Sequence, residues 1–173
     1  VTLNFINNAA ISTWNGTASV NDTGNVNTTL ASLTRAAGET VASYNITAAT
    51  FTALTGSAIG NYNAPTFSTA NSPALTITKA SITGALTTPA QTKVYGANDP
   101  TLSGVGVTLT GLINNASIST WNGTASVTDN SATVNTTFAS LTRAVGEVIG
   151  SYSISAATFN ALVGTSAGNY NVP

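Results

Sequence analysis

Ile11-Ser12-Thr13-Trp14-Asn15-Gly16-Thr17-Ala18-Ser19-Val20 sets an Asn-Gly pair between two short runs rich in β-branched and hydroxyl residues, and the same ten residues return unchanged at 118–127. Asn and Gly tolerate positive φ, so a two-residue loop made of them turns one strand back on the next with the twist that strands prefer. The stretch predicts a tight antiparallel hairpin with a type I′ turn centred on Asn15-Gly16, and a second on Asn122-Gly123. Everything around it carries the same period-two character. Apolar and hydroxyl residues alternate in Leu75–Thr78, Val105–Leu109, Val41–Ile46 and Val148–Ile154, the pattern of a strand with one buried face and one face wetted by Thr and Ser. Helix signals are thin. Leu30–Ala37 could wind a turn or two before Gly38 stops it. Pro65, Pro73, Pro89, Pro100 and Pro173 mark turns and linkers.

The hairpin is one piece of a longer duplication. Residues 1–65 return as 107–173, with about 45 of the first 65 positions identical and a period of about 107 residues. LASLTRAAGETVASYNITAATFTAL (30–54) is matched by FASLTRAVGEVIGSYSISAATFNAL (138–162), and GNYNAP (60–65) by GNYNVP (168–173). Such a period is too long for solenoid units of 20–50 residues and suits an array of small whole domains. The predicted class is all-β: tandem small β domains, either an Ig-like sandwich or β-grasp-like, strung as elongated beads or a fibre. Val1 is not Met, so the chain reads as an internal or processed piece of a longer protein. Its neighbours would be further repeats or identical subunits, the latter joined by strand addition.

Composition removes several functions. The 173 residues hold four Lys and Arg, five Asp and Glu, and no His, Cys or Met; roughly 50 are Ser or Thr. With 5% charged residues against about 25% in an average soluble domain, the surface must be hydrated by hydroxyls and amides. Four basic side chains cannot supply the phosphate contacts of a nucleic-acid binder or a polybasic membrane patch. No apolar run approaches 18 residues, so no membrane insertion is expected. Without Cys there is no disulfide or thiolate-zinc site.

At Lys93-Val94-Tyr95-Gly96-Ala97-Asn98-Asp99-Pro100 the sequence resembles the Tyr-Gly motif that opens MBG-type (YGX type) repeats of large bacterial secreted adhesins. The motifs that follow in that family are matched in order. Leu75–Ala80 is similar to its closing strand and junction, Leu141-Thr142-Arg143-Ala144 with Gly146-Glu147 and Ser151–Ile154 to its centre, and Gly168-Asn169-Tyr170-Asn171 to its late Gly-Asn-Tyr signature. Leu33–Glu39, Tyr44 and Gly60–Asn63 carry the first copy of the same marks. Ala42 stands where the family has a Gly before the Tyr, and Gly150 keeps it. The resemblance implies residues 1–80 as one repeat lacking its N-terminal Tyr-Gly segment and 81–173 as a second lacking its C-terminal closing strand. It also implies an extracellular or cell-surface location and a structural or adhesive role.

Few residues could do chemistry. With no His or Cys there is no nucleophile–base pair, no cofactor is expected, and a glycosidase pair would have to be drawn from Asp99, Asp129 and Glu147, or Asp22 and Glu39 in the first copy. The expectation is a non-enzyme. Calcium needs several oxygen ligands; the acids are isolated along the chain, no metal site is expected, and Asp99 is the sole candidate. Trp14 and Trp121, beside their turns, could stack on a host glycan or meet a surface receptor; the commoner role is to cover the end of their own domain's core. Tyr95, Tyr44 and Tyr152 read as core or corner tyrosines with a bonded hydroxyl. Arg35/Glu39 and Arg143/Glu147, four apart, predict a local ion pair. An isopeptide crosslink would need Lys79 or Lys93. Asn15, Asn21, Asn27, Asn45, Asn115, Asn122 and Asn135 fall in glycosylation sequons.

Overall fold

A computed structural model describes residues 1–69, 74–87 and 91–173; Pro73 and Pro89 lie outside the described residues. The fold is all-β, in small antiparallel sheets with short 3-10 turns. Two compact units are present. The first comprises Val1–Gly38, Ser43–Leu75 and Thr120–Gly123; the second comprises Glu39–Ala42, Thr76–Ser119 and Thr124–Pro173.

In the first unit, β1 (Asn7–Thr13) and β2 (Gly16–Asn21) form the expected hairpin. Its turn is shifted by one residue from the predicted centre. Trp14 and Asn15 occupy the middle, Thr13 pairs with Gly16, and the positive φ (115°) falls on Gly16 alone. A type I′ turn would force Asn15 into positive φ; here the Thr13 hydroxyl instead accepts from Asn15 N–H and donates to the Gly16 carbonyl, holding an ordinary turn that Gly16 reverses into the strand. Downstream, β3 (Leu30–Arg35) pairs with β4 (Ala42–Phe51), and β5 (Ala74–Ile77) adds to β4's other edge. The helical turn considered for Leu30–Ala37 is therefore a strand. Its weak helical preference gives way to ladder pairing and to a cross-strand hydroxyl contact, Ser32 Oγ to Thr50 Oγ1 at 2.5 Å.

The second unit holds β6 (Thr83–Thr87) with β7 (Gly106–Thr110), β8 (Asn114–Thr120) with β9 (Gly123–Thr128), and β10 (Phe138–Arg143) with β11 (Ile154–Phe159). Its β10–β11 ladder repeats β3–β4 in register: Ser140 opposes Thr158 as Ser32 opposes Thr50, Arg143 opposes Ile154 as Arg35 opposes Ile46, and both ladders shift register at the same two places. The strand expected from Val148 begins only at Ile154. Between Gly146 and Ile154 the Tyr152 hydroxyl donates to the Val148 carbonyl at 2.7 Å, closing the segment as a loop.

Each core is small. Val26, Tyr44 and Ile46 are buried in the first unit; Ile82, Val134 and Tyr170 cluster in the second, flanked by Leu109, Leu112 and Leu162. With so little apolar volume, hydroxyl pairs supplement the sheets. Thr83 and Thr110 meet at 2.6 Å, and Ser140 and Thr158 at 2.6 Å.

Candidate functional site

The Tyr-Gly motif folds as a turn: Ala97 N–H donates to the Val94 carbonyl at 3.0 Å, and Gly96 takes φ 80°. A positive φ in the third position of a β-turn is what Gly supplies there. Tyr95, at the second position, is 75% exposed and so is not the core or corner tyrosine expected: the turn puts its side chain outward. What the loop brings to the β10 turn is charge. Lys93 Nζ lies 2.8 Å from Asp99 Oδ1 and 2.6 Å from Glu147 Oε2, and Arg143 reaches Asp99 through Nε at 2.8 Å and Nη2 at 3.1 Å. Arg143 Nη2 also pairs with Glu147 Oε1, the ion pair its spacing predicts. Four of the chain's nine charged side chains thus form one alternating ring, joining residues 93–99 to the turn after β10.

The ring fixes its own protonation. The Arg143 guanidinium and then the Lys93 ammonium hold the Asp99 carboxyl far below the usual carboxylate range; Lys93 and then Arg143 pull Glu147 down. Asp99 and then Glu147 raise Lys93, and in the same order they raise Arg143. A general acid needs a raised carboxyl pKa, the opposite of what these neighbours impose. The Asp99 oxygens, the calcium candidates, are engaged by two cations. Among the described residues no three His, Cys, Asp or Glu side chains gather as metal ligands. The chemistry available is that of a clamp.

Arg143 has a second task, and it is duplicated. Its Nη1 donates to the carbonyls of Ala144 (3.0 Å) and Gly146 (2.8 Å), with the guanidinium 5.1 Å from the Tyr152 ring centre. Arg35 does the same with Ala36 (3.0 Å), Gly38 (2.7 Å) and the Tyr44 ring, also at 5.1 Å. Each arginine thus ties off the turn that follows its strand and stacks on a tyrosine beyond that turn, Tyr44 within β4 and Tyr152 just before β11. Arg35 is only 4% exposed.

A second motif escaped the sequence reading. Tyr170 Oη donates to Asp129 Oδ2 at 2.7 Å and accepts from Ile113 N–H at 3.0 Å. Tyr62 Oη does likewise with Asp22 at 2.9 Å and Ile6 N–H at 2.9 Å. Asp22 and Asp129 seemed isolated because their partners lie about 40 residues away; the signal was the tyrosine of Gly-Asn-Tyr together with the acid just past each hairpin. Burial and then the Asp129 carboxylate raise the Tyr170 pKa. For Tyr62 the Ile6 N–H pulls the value down, but burial and Asp22 together outweigh it and the net shift is upward.

Trp14 covers no core: it is fully exposed at the tip of its turn, while Trp121, at the tip of the second hairpin, is 49% exposed. All seven sequon asparagines are exposed. They differ in what their amides already do: Asn115 Oδ1 accepts Ser117 N–H at 2.9 Å, and the Asn122 amide is bound to Arg35. A cleft of about 160 Å³ in the second unit, lined by Val41, Ile77, Ile113, Ile118 and Tyr170 among others, falls below the roughly 300 Å³ at which ligand pockets begin. Among the described residues no helix is long and apolar enough to cross a membrane. No protein-family model, curated protein or solved structure matches this chain.

Proposed function

We propose that this chain is a structural repeat segment of an extracellular bacterial adhesin or filament of the MBG type, acting as a spacer or shaft at the cell surface and associating end to end. The observation that carries the reading is the duplicated ladder: two sequence copies with identical register, identical bulges and the same arginine-tied turn. The same backbone geometry in both copies, with hydroxyls in place of charges, favours a repeated building element over a site of chemistry. Low charge also removes the repulsion that would oppose close contact between copies.

Exposed Trp14 supports a second reading, a weak carbohydrate- or host-protein-binding module. A glycan array and limited trypsin digestion of the whole chain separate the two. A spacer gives no glycan signal above that of Trp14→Ala and resists cleavage at Arg35 and Arg143, whose side chains are tied into turns. Glycan binding lost in Trp14→Ala, or rapid cleavage at both arginines, would overturn the spacer reading.

A further inference from the structure

Two asparagine amides make contacts inside the units whose counterparts, one repeat away, go unmade. In the first unit the tip Thr120–Gly123 sits on the β3 edge. Asn122 Oδ1 accepts from Arg35 N–H at 2.9 Å and its Nδ2 donates to the Arg35 carbonyl at 2.8 Å. One amide satisfying both backbone groups of one residue is strand addition in miniature. In the second unit Asn169 Oδ1 accepts from Val41 N–H at 2.9 Å.

The duplication supplies each partner again. Asn122 and Asn169 correspond to Asn15 and Asn61; Arg35 and Val41 correspond to Arg143 and Ile149. Asn15 and Asn61 are exposed, and no hydrogen bond holds either side-chain amide among the described residues. Ile149 is 97% exposed where Val41 is half-buried. Trp121, in the seated tip, is 49% exposed, while Trp14 is fully exposed. Because β10–β11 has the register of β3–β4, Arg143 presents its backbone N–H and C=O on the same outer edge as Arg35.

We propose that the Trp14–Asn15 tip and Asn61 of one molecule dock on the Arg143 edge and Ile149 of a second copy, repeating between chains the amide contacts that Asn122 and Asn169 make within one. The two surfaces differ, so the contact is heterologous and leaves an unused surface at each end; growth is open rather than closed. Exposed Val145, Val148 and Ile149 beside the Arg143 edge supply apolar area for Trp14 to cover. This deepens the repeat-segment reading and rests on it for the partner's identity.

Sedimentation velocity over a concentration series tests it. The whole chain is expected to shift from monomer to dimer and longer species as concentration rises. Asn15→Ala and Ile149→Asp, each checked for folding by circular dichroism, are expected to weaken association at least ten-fold. An equimolar mixture of the two variants keeps one intact surface pair and is expected to regain dimers without longer species. A chain monomeric up to about 1 mM, association indifferent to both variants, or a mixture that fails to regain dimers would each overturn the proposal. A monomer that still resists trypsin and pulling force leaves the spacer reading standing, so the two failures are distinguishable.

Discussion

Two residues in the second unit show how strictly the fold is specified. Gly164 has φ 117°, and a Cβ there would lie 2.2 Å from the Thr133 carbonyl oxygen; Gly56 stands in the same relation to Asn25. Backbone cannot swing aside as a side chain can, so Gly164→Ala is expected to cost on the order of 3 kcal/mol. Gly24→Ala, at φ 80° but with open space around its Cβ, should cost only about 1 kcal/mol. Urea denaturation of the two variants checks the difference; equal midpoints would contradict it. Tyr170 tests burial against bonding. Tyr170→Phe keeps the ring but leaves the Oδ2 of buried Asp129 without its donor, Thr133 still serving Oδ1, and removes the acceptor of the Ile113 N–H. A loss of roughly 2 kcal/mol in the same assay is expected, from the desolvated groups left unpaired.

Among elements, the ring that fastens residues 93–99 to the β10 turn carries a pH signature. Asp99 and Glu147 both have folded pKa values depressed by Lys93 and Arg143. Their contribution is therefore complete above the unfolded values, near 3.9 for Asp and 4.3 for Glu, and is lost as pH falls through the folded ones. The thermal midpoint should fall as pH drops from about 5 toward 2, with a shallower slope in Arg143→Gln; equal slopes would count against the ring. Legibility varied among these elements for physical reasons. Alternation and the turn residues revealed the hairpins, the all-β class and the duplication. They missed the one-residue shift at Trp14-Asn15 because both placements keep the strands antiparallel, and only the Thr13 hydroxyl decides between them. Leu30–Arg35 was ambiguous because its neighbour β4 lies beyond a turn that local pattern does not encode. The four-charge ring joins residues 44 to 54 positions apart, and nothing in the spacing of Lys93 and Asp99 points to Arg143. Only the i,i+4 pair of Arg143 and Glu147 was local enough to read.

For the molecule as a whole, the role proposed above is that the repeated units bear load as a spacer. Each unit has a small core, so resistance to force must come from the paired ladders and from the arginine-tied turns. Single-molecule stretching of the whole chain between its termini tests this most directly. Discrete unfolding steps are expected, with the released length per step set by a folded unit at about 3.3–3.6 Å per residue, and earlier rupture in Gly164→Ala. Smooth extension at low force without steps would contradict it.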